Sequence, residues 1–167
     1  MINYEVFDDF LDQQDFDNLS NTLLSSEFPL FLQKSINSYN KKGIYFTYVF
    51  KHWDKDGINC NNNLFNLLKP VLTKLNCKKL HRAQLNLHPK TFFKRYHAYH
   101  RDHPLPHKGC LLYLNTNNGN TIIKNGIIGK KFQSVANRAL IFDPSIVHKS
   151  TTCTDMDFRA VLVINYS

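Results

Sequence analysis

At 167 residues, 43% of them hydrophobic and 20% charged, the chain is long enough to bury a sizeable core without staples. Its four cysteines (Cys60, Cys77, Cys110, Cys153) lie far apart and form no C-x-x-C pair, which argues for free thiols and against a zinc ribbon or disulfide framework. The formal charge of +8 hides a division: residues 1–28 carry seven carboxylates and no Lys or Arg, and the rest of the chain carries 21 basic against 6 acidic groups. That asymmetry allows an anionic ligand or a nucleic acid as partner without selecting either.

No apolar run approaches the roughly eighteen residues of a spanning helix, and Met1-Ile2-Asn3-Tyr4-Glu5 lacks the basic-then-apolar layout of a secretion signal. A single domain over 1–167, in the cytoplasm and with no membrane partner, is the expectation.

Tyr4-Glu5-Val6-Phe7 alternates like a short strand. Phe10, Leu11, Phe16, Leu19, Leu23 and Leu24 then recur at mostly helical spacing with acids early, predicting an amphipathic helix over residues 8–25. Residues 35–43 are polar, end in Gly43 and read as a loop. Residues 44–50 are β-branched and aromatic and read as a strand. Over residues 62–76 the apolar positions Leu64, Leu68, Val71 and Leu75 predict a second helix, kinked or broken at Pro70.

After residue 79 the period changes to two. Strands are expected at 83–87, 92–99, 110–114, 121–123, 131–135, 139–142, 146–148 and 158–166, with turns at Asn117-Asn118-Gly119-Asn120 and Asn125-Gly126. Short strands at such spacing predict an antiparallel sandwich or barrel over 79–167, supported by a helical portion over 1–78.

The chemistry concentrates at Tyr99-His100-Arg101-Asp102-His103. Asp102 is the only carboxylate between residues 57 and 142, a span holding fourteen Lys and Arg. On a strand, His100 and Asp102 share one side. With His148 they make the 2-His-1-carboxylate set that suits non-haem Fe(II) and leaves coordination positions open. A second H-x-D, His52-Trp53-Asp54, is the poorer pair because Asp56 crowds its carboxylate.

Arg159 opens an apolar strand that would half-bury its guanidinium. A buried fork calls for a carboxylate, from Asp155, Asp157 or a ligand; Arg138 is a weaker rival for the ligand role. His97, His100, His103 and His107 crowd one segment, yet no cysteine joins them and strand parity sets His97 opposite His100, against a zinc cluster. His103 and His107, interleaved with Pro104 and Pro106, read as lid or substrate-side residues.

Tyr99-His100-Arg101-Asp102, Leu112-Tyr113-Leu114-Asn115, the run Asn137 to Asp143, His148 and Phe158-Arg159-Ala160-Val161-Leu162, in that order, resemble the iron(II)/2-oxoglutarate-dependent oxygenases. The likeness is to the prolyl-4-hydroxylase-like branch, and to its short stand-alone members of the kind phages carry; for such a chain the compartment would be the host cytoplasm. It covers residues 80–167 well and the N-terminal part more loosely.

The resemblance implies a mainly β, double-stranded β-helix (jelly roll) with two N-terminal helices packed on it. It implies Fe(II) on His100, Asp102 and His148, and the distal carboxylate of 2-oxoglutarate on Arg159 with help from the Tyr113 hydroxyl. No catalytic group beyond the metal ligands is implied. O2 is the further cosubstrate, ascorbate an optional reductant, and the reaction a hydroxylation that releases succinate and CO2. The substrate implied is a peptidyl proline or another protein residue, with small-molecule hydroxylation and nucleobase oxidation also within the reach of the same triad. One departure is His88-Pro89, where the family often has Tyr-Pro, so His88 is marked as substrate- or cosubstrate-side.

The competing reading is a non-catalytic basic jelly-roll module for nucleic acid or another polyanion. It draws on the acid-free stretch 57–101, whose nine basic residues are interleaved with aromatics.

Overall fold

In the computed structural model, residues 3–34, 43–53, 62–126 and 129–167 are described. The expected loop over 35–43 (Gly43 apart), Cys60, and Asp54 and Asp56 of the second H-x-D lie outside them. In chain order the elements are β1 (Tyr4–Phe7), α1 (Gln13–Leu23), β2 (Phe31–Gln33), β3 (Tyr45–Lys51), α2 (Asn62–Asn66), α3 (Lys69–Lys74), β4 (Leu80–Pro89), β5 (Lys108–Tyr113), β6 (Asn120–Ile123), β7 (Lys130–Gln133), β8 (Ala139–Phe142), β9 (His148–Ser150) and β10 (Phe158–Tyr166). A large antiparallel sheet, ordered β1-β8-β5-β10-β4-β3-β2, faces a small one, ordered β7-β6-β9. This is a jelly roll, as expected.

Three local outcomes differ from the sequence expectation, while the break at Pro70 is as expected. Helix α1 begins at Gln13 rather than near residue 8, because Asn137 captures the chain before it. Its Oδ1 accepts from the Leu11 N–H at 2.9 Å and its Nδ2 donates to the Leu11 carbonyl at 2.8 Å. Asp9 takes a positive φ of 50°, which helical residues do not adopt. Pro70 breaks the second helix outright and sits in the first turn of α3, where its missing N–H costs no hydrogen bond.

β2 is an edge strand the sequence did not announce, paired with β3. Residues 92–99 form an arm in place of the expected strand; it touches the small sheet through single bridges, Tyr96 with Thr151 and His100 with His148.

Strand parity divides the two central strands. Ala160, Leu162, Ile164 and Tyr166 of β10, with Ala83 and Leu85 of β4, join a core that includes Leu19 and Leu23 of α1 and Val71 of α3. Each fully buried Leu there contributes about 1.5–3 kcal/mol. The alternate positions look into the space between the sheets: Arg159, Val161 and Val163 on β10, and Arg82, Gln84, Asn86 and His88 on β4. Among the described residues no helix is long and apolar enough to cross a membrane.

Candidate metal centre

A paired backbone brings the two histidines together. His100 N–H donates to the His148 carbonyl and His148 N–H to the His100 carbonyl, both at 2.9 Å. Their rings stand with centroids 4.5 Å apart. Asp102 follows one bend later, anchored by its N–H to the Pro144 carbonyl at 3.0 Å. The Nε2 atoms of His100 and His148 each lie 3.6 Å from the same oxygen, Asp102 Oδ1. Among the described residues this is the one cluster of three potential ligands, with donor atoms all within 4.8 Å of one another.

The surroundings prepare these atoms as ligands. His148 Nδ1 faces the Ile146 carbonyl at 2.9 Å and His100 Nδ1 the Ala98 carbonyl at 3.3 Å. A carbonyl only accepts, so Nδ1 carries the proton on each ring and Nε2 is left as a bare donor. The other carboxylate oxygen, Asp102 Oδ2, accepts from Asn165 Nδ2 at 3.1 Å and lies 3.6 Å from Arg82 Nη1. Burial alone would raise the Asp102 carboxyl, but the two imidazoles beside it and the nearby Arg82 charge hold it well below the usual carboxylate range. Two imidazoles and one ionised carboxylate fit the donor preference of non-haem Fe(II).

Register sets the other end of the site. β4 and β10 pair Arg82 with Asn165, Gln84 with Val163, Asn86 with Val161, and His88 with Arg159. The first pair holds Asp102; the last sits at the far end of the same face. Arg82, His88, Arg159 and the triad line one cavity of about 100 Å³.

Arg159 is 1% exposed. Its Nε donates to Ser134 Oγ at 2.8 Å and its Nη2 to Thr121 Oγ1 at 3.0 Å. Asp155 instead accepts from the Asn118 N–H, at 2.9 and 3.0 Å. Among the described residues no carboxylate lies within 4 Å of Arg159. Arg138 is taken by an ion pair with Asp8. The buried Arg159 guanidinium, with no carboxylate within reach, is chemically suited to pair with an external anion.

His88 adds an unpartnered polar atom to that end. The residue is 6% exposed, its ring stacks on Tyr45 with centroids 5.4 Å apart, and its buried Nδ1 has no hydrogen-bond partner. Burial, with His97 and Arg159 nearby, pushes its pKa well below the ordinary histidine value and keeps it neutral.

Tyr113 is fully buried, with Arg159 over its ring at 5.5 Å, and its hydroxyl donates to Thr121 Oγ1 at 2.9 Å. It is Thr121 that lines the cavity. His103 and His107 pack on Trp53, with ring centroids 4.6 and 4.9 Å away.

Arg82, Thr121, Ser134 and Asn165 were not singled out from the sequence. The clue for β4 was there: Arg82, Gln84, Asn86 and His88 form a polar file alternating with Ala83, Leu85 and Leu87.

No family model matches the chain, and no curated protein matches it. Solved structures do. A 2OG-Fe(II) oxygenase family oxidoreductase from Burkholderia pseudomallei superposes with a TM-score of 0.71 at 14% identity, covering 98% of this chain and 84% of that one. A Pseudomonas putida prolyl-4-hydroxylase gives 0.64 at 12% identity, covering 99% and 93%.

The chain has the fold of the 2OG-Fe(II) oxygenases. The epimerase SnoN of nogalamycin biosynthesis, solved with Fe3+, alpha-ketoglutarate and nogalamycin RO, shares that oxygenase fold with a TM-score of 0.62 at 10% identity, covering 99% of this chain and 78% of SnoN.

Proposed function

We propose that the protein is an Fe(II)- and 2-oxoglutarate-dependent dioxygenase that hydroxylates a substrate with release of succinate and CO2. The substrate class we favour is a protein residue, peptidyl proline first, on the likeness to prolyl-4-hydroxylase structures. One observation carries the reading: a triad of ligand atoms and a buried guanidinium without an internal carboxylate share one cavity.

His100, Asp102 and His148 would hold the iron, with Asn165 and Arg82 fixing the carboxylate. Arg159 would grip the distal carboxylate of 2-oxoglutarate through the fork donors that Ser134 and Thr121 leave free. The neutral His88 would supply a directional polar contact at the same end, and Val161, Val163 and Leu111 would keep water from the reacting centre. When bound, the iron and keto acid supply the oxidising power, dividing O2 between succinate and the substrate's C–H bond.

Anaerobic Fe(II) plus 2-oxoglutarate should give the weak visible charge-transfer band of the chelate. Folded protein without the band, or a band unchanged in His100→Ala, overturns the assignment. Succinate release over peptide, amino-acid and oligonucleotide panels then identifies the substrate.

A further inference from the structure

The arm between β4 and the triad exposes rings that a folded protein ordinarily covers. Phe92 is 89% exposed, Phe93 75%, Tyr96 54% and Tyr99 39%. The arm itself is firmly held. Thr91 Oγ1 donates to the Phe93 carbonyl at 2.7 Å, Arg95 N–H to Thr152 Oγ1 at 2.9 Å, and His97 N–H to the Ser150 carbonyl at 2.9 Å. These rings are therefore presented on a braced backbone.

The arm's charge is of one sign. Lys90, Arg95 and Arg101 are exposed, and among the described residues no carboxylate lies within 4 Å of them. The one acid at its end, Asp102, is turned inward. Lys149 Nζ lies 5.0 Å from the centroid of Tyr96 and 4.2 Å from that of Tyr99, setting a cation within the row of rings.

We propose that residues 90–101 are a binding surface for single-stranded nucleic acid, whose bases stack on the four rings and whose phosphates meet the flanking cations. Aromatic platforms interleaved with Lys and Arg suit a polymer that alternates flat apolar faces with regular negative charge. A duplex hides its base faces, and an acidic peptide would neutralise the cations while leaving the rings bare. Tyr99 precedes His100 and Lys149 follows His148, so a strand on the arm lies at the mouth of the cavity. The inference stands on the arm alone and goes beyond the oxygenase reading.

The test is fluorescence anisotropy of the full-length protein with a labelled, mixed-sequence single strand of about 12 nucleotides. Binding should weaken linearly in log K against log salt, and the Phe92→Ala/Phe93→Ala pair should weaken it about tenfold or more. Phe92→Tyr/Phe93→Tyr, which keeps both rings, should preserve it. Both positions are so exposed that neither pair should unfold the protein, as a melting curve checks. Four results overturn the proposal: no binding; binding indifferent to the alanine pair; equal competition by polyglutamate; or capture of anionic phosphatidylserine vesicles in place of the strand. The charge-transfer band needs no nucleic acid, so failure here leaves the metal assignment standing, and failure of the band leaves this surface standing.

Discussion

His88 and Arg159 face each other across the pairing of β4 and β10, and they line one end of a cavity whose other end is the His100, Asp102, His148 cluster. The histidine offers a buried nitrogen with no partner, and the arginine a buried cation with no carboxylate.

That pairing gives a sharp expectation for Arg159→Met. Removing an unbalanced buried cation while keeping a long side chain should leave the ligand-free protein as stable as before, or more so. The wild-type should gain about 2.7 kcal/mol at 2-oxoglutarate one hundred times its dissociation constant, and the variant should gain nothing. Thermal melts with and without 2-oxoglutarate read both quantities; an undiminished shift in the variant would place the carboxylate elsewhere.

Gly119 tests the same end without replacing a polar side chain. A Cβ there would lie 2.5 Å from Arg159 Cδ and 2.7 Å from Asn117 Oδ1. Gly119→Ala should therefore push the guanidinium off its bonds to Ser134 and Thr121, cost about 1–3 kcal/mol of stability and weaken 2-oxoglutarate. Metal affinity, set at the triad, should not change. Calorimetric titration of Mn(II) and of 2-oxoglutarate separates the two effects, and equal losses in both would contradict the division of the cavity.

For His88→Phe the stacked ring on Tyr45 is kept and the orphaned nitrogen removed. Because an unsatisfied buried polar group costs about 1–3 kcal/mol, urea unfolding of the ligand-free variant should show it more stable than wild-type. Its 2-oxoglutarate affinity should fall. A variant that is both less stable and unaltered in binding would show that His88 is packing alone.

His97 sets a pH dependence. Burial first, then the Arg159 and His100 charges, lowers its pKa from 6.5 to about 4. A histidine depressed in the folded state binds its proton more readily when unfolded, so stability falls as pH drops from about 6.5 towards 4. This one group should remove on the order of 3 kcal/mol by pH 4. Urea unfolding across that range, with NMR of the His97 ring showing no titration above about pH 5, is the check; a ring titrating near 6.5 would refute it.

How much of this was readable in the chain depended on range. The H-x-D at 100–102 was legible because both groups belong to one short segment, and the apolar run after Arg159 was enough to predict a buried cation. The support for Asp102 was not, since Arg82 and Asn165 come from strands paired 83 residues apart in sequence. Alternation on β4 shows a polar file but not which neighbour it meets. The same limit hid Thr121, which stands beside the cavity while the Tyr113 hydroxyl bonds to it from behind. At the N-terminus, apolar spacing suggested helix from residue 8, and only the distant Asn137 prevents it.

The strand register has one more implication. A one-residue slip between β4 and β10 would turn Arg82, Gln84 and His88 into the oily layer beneath α1 and α3. The register that assembles the hydrophobic interior therefore also proofreads the polar file lining the cavity: a slip that spoils one spoils the other.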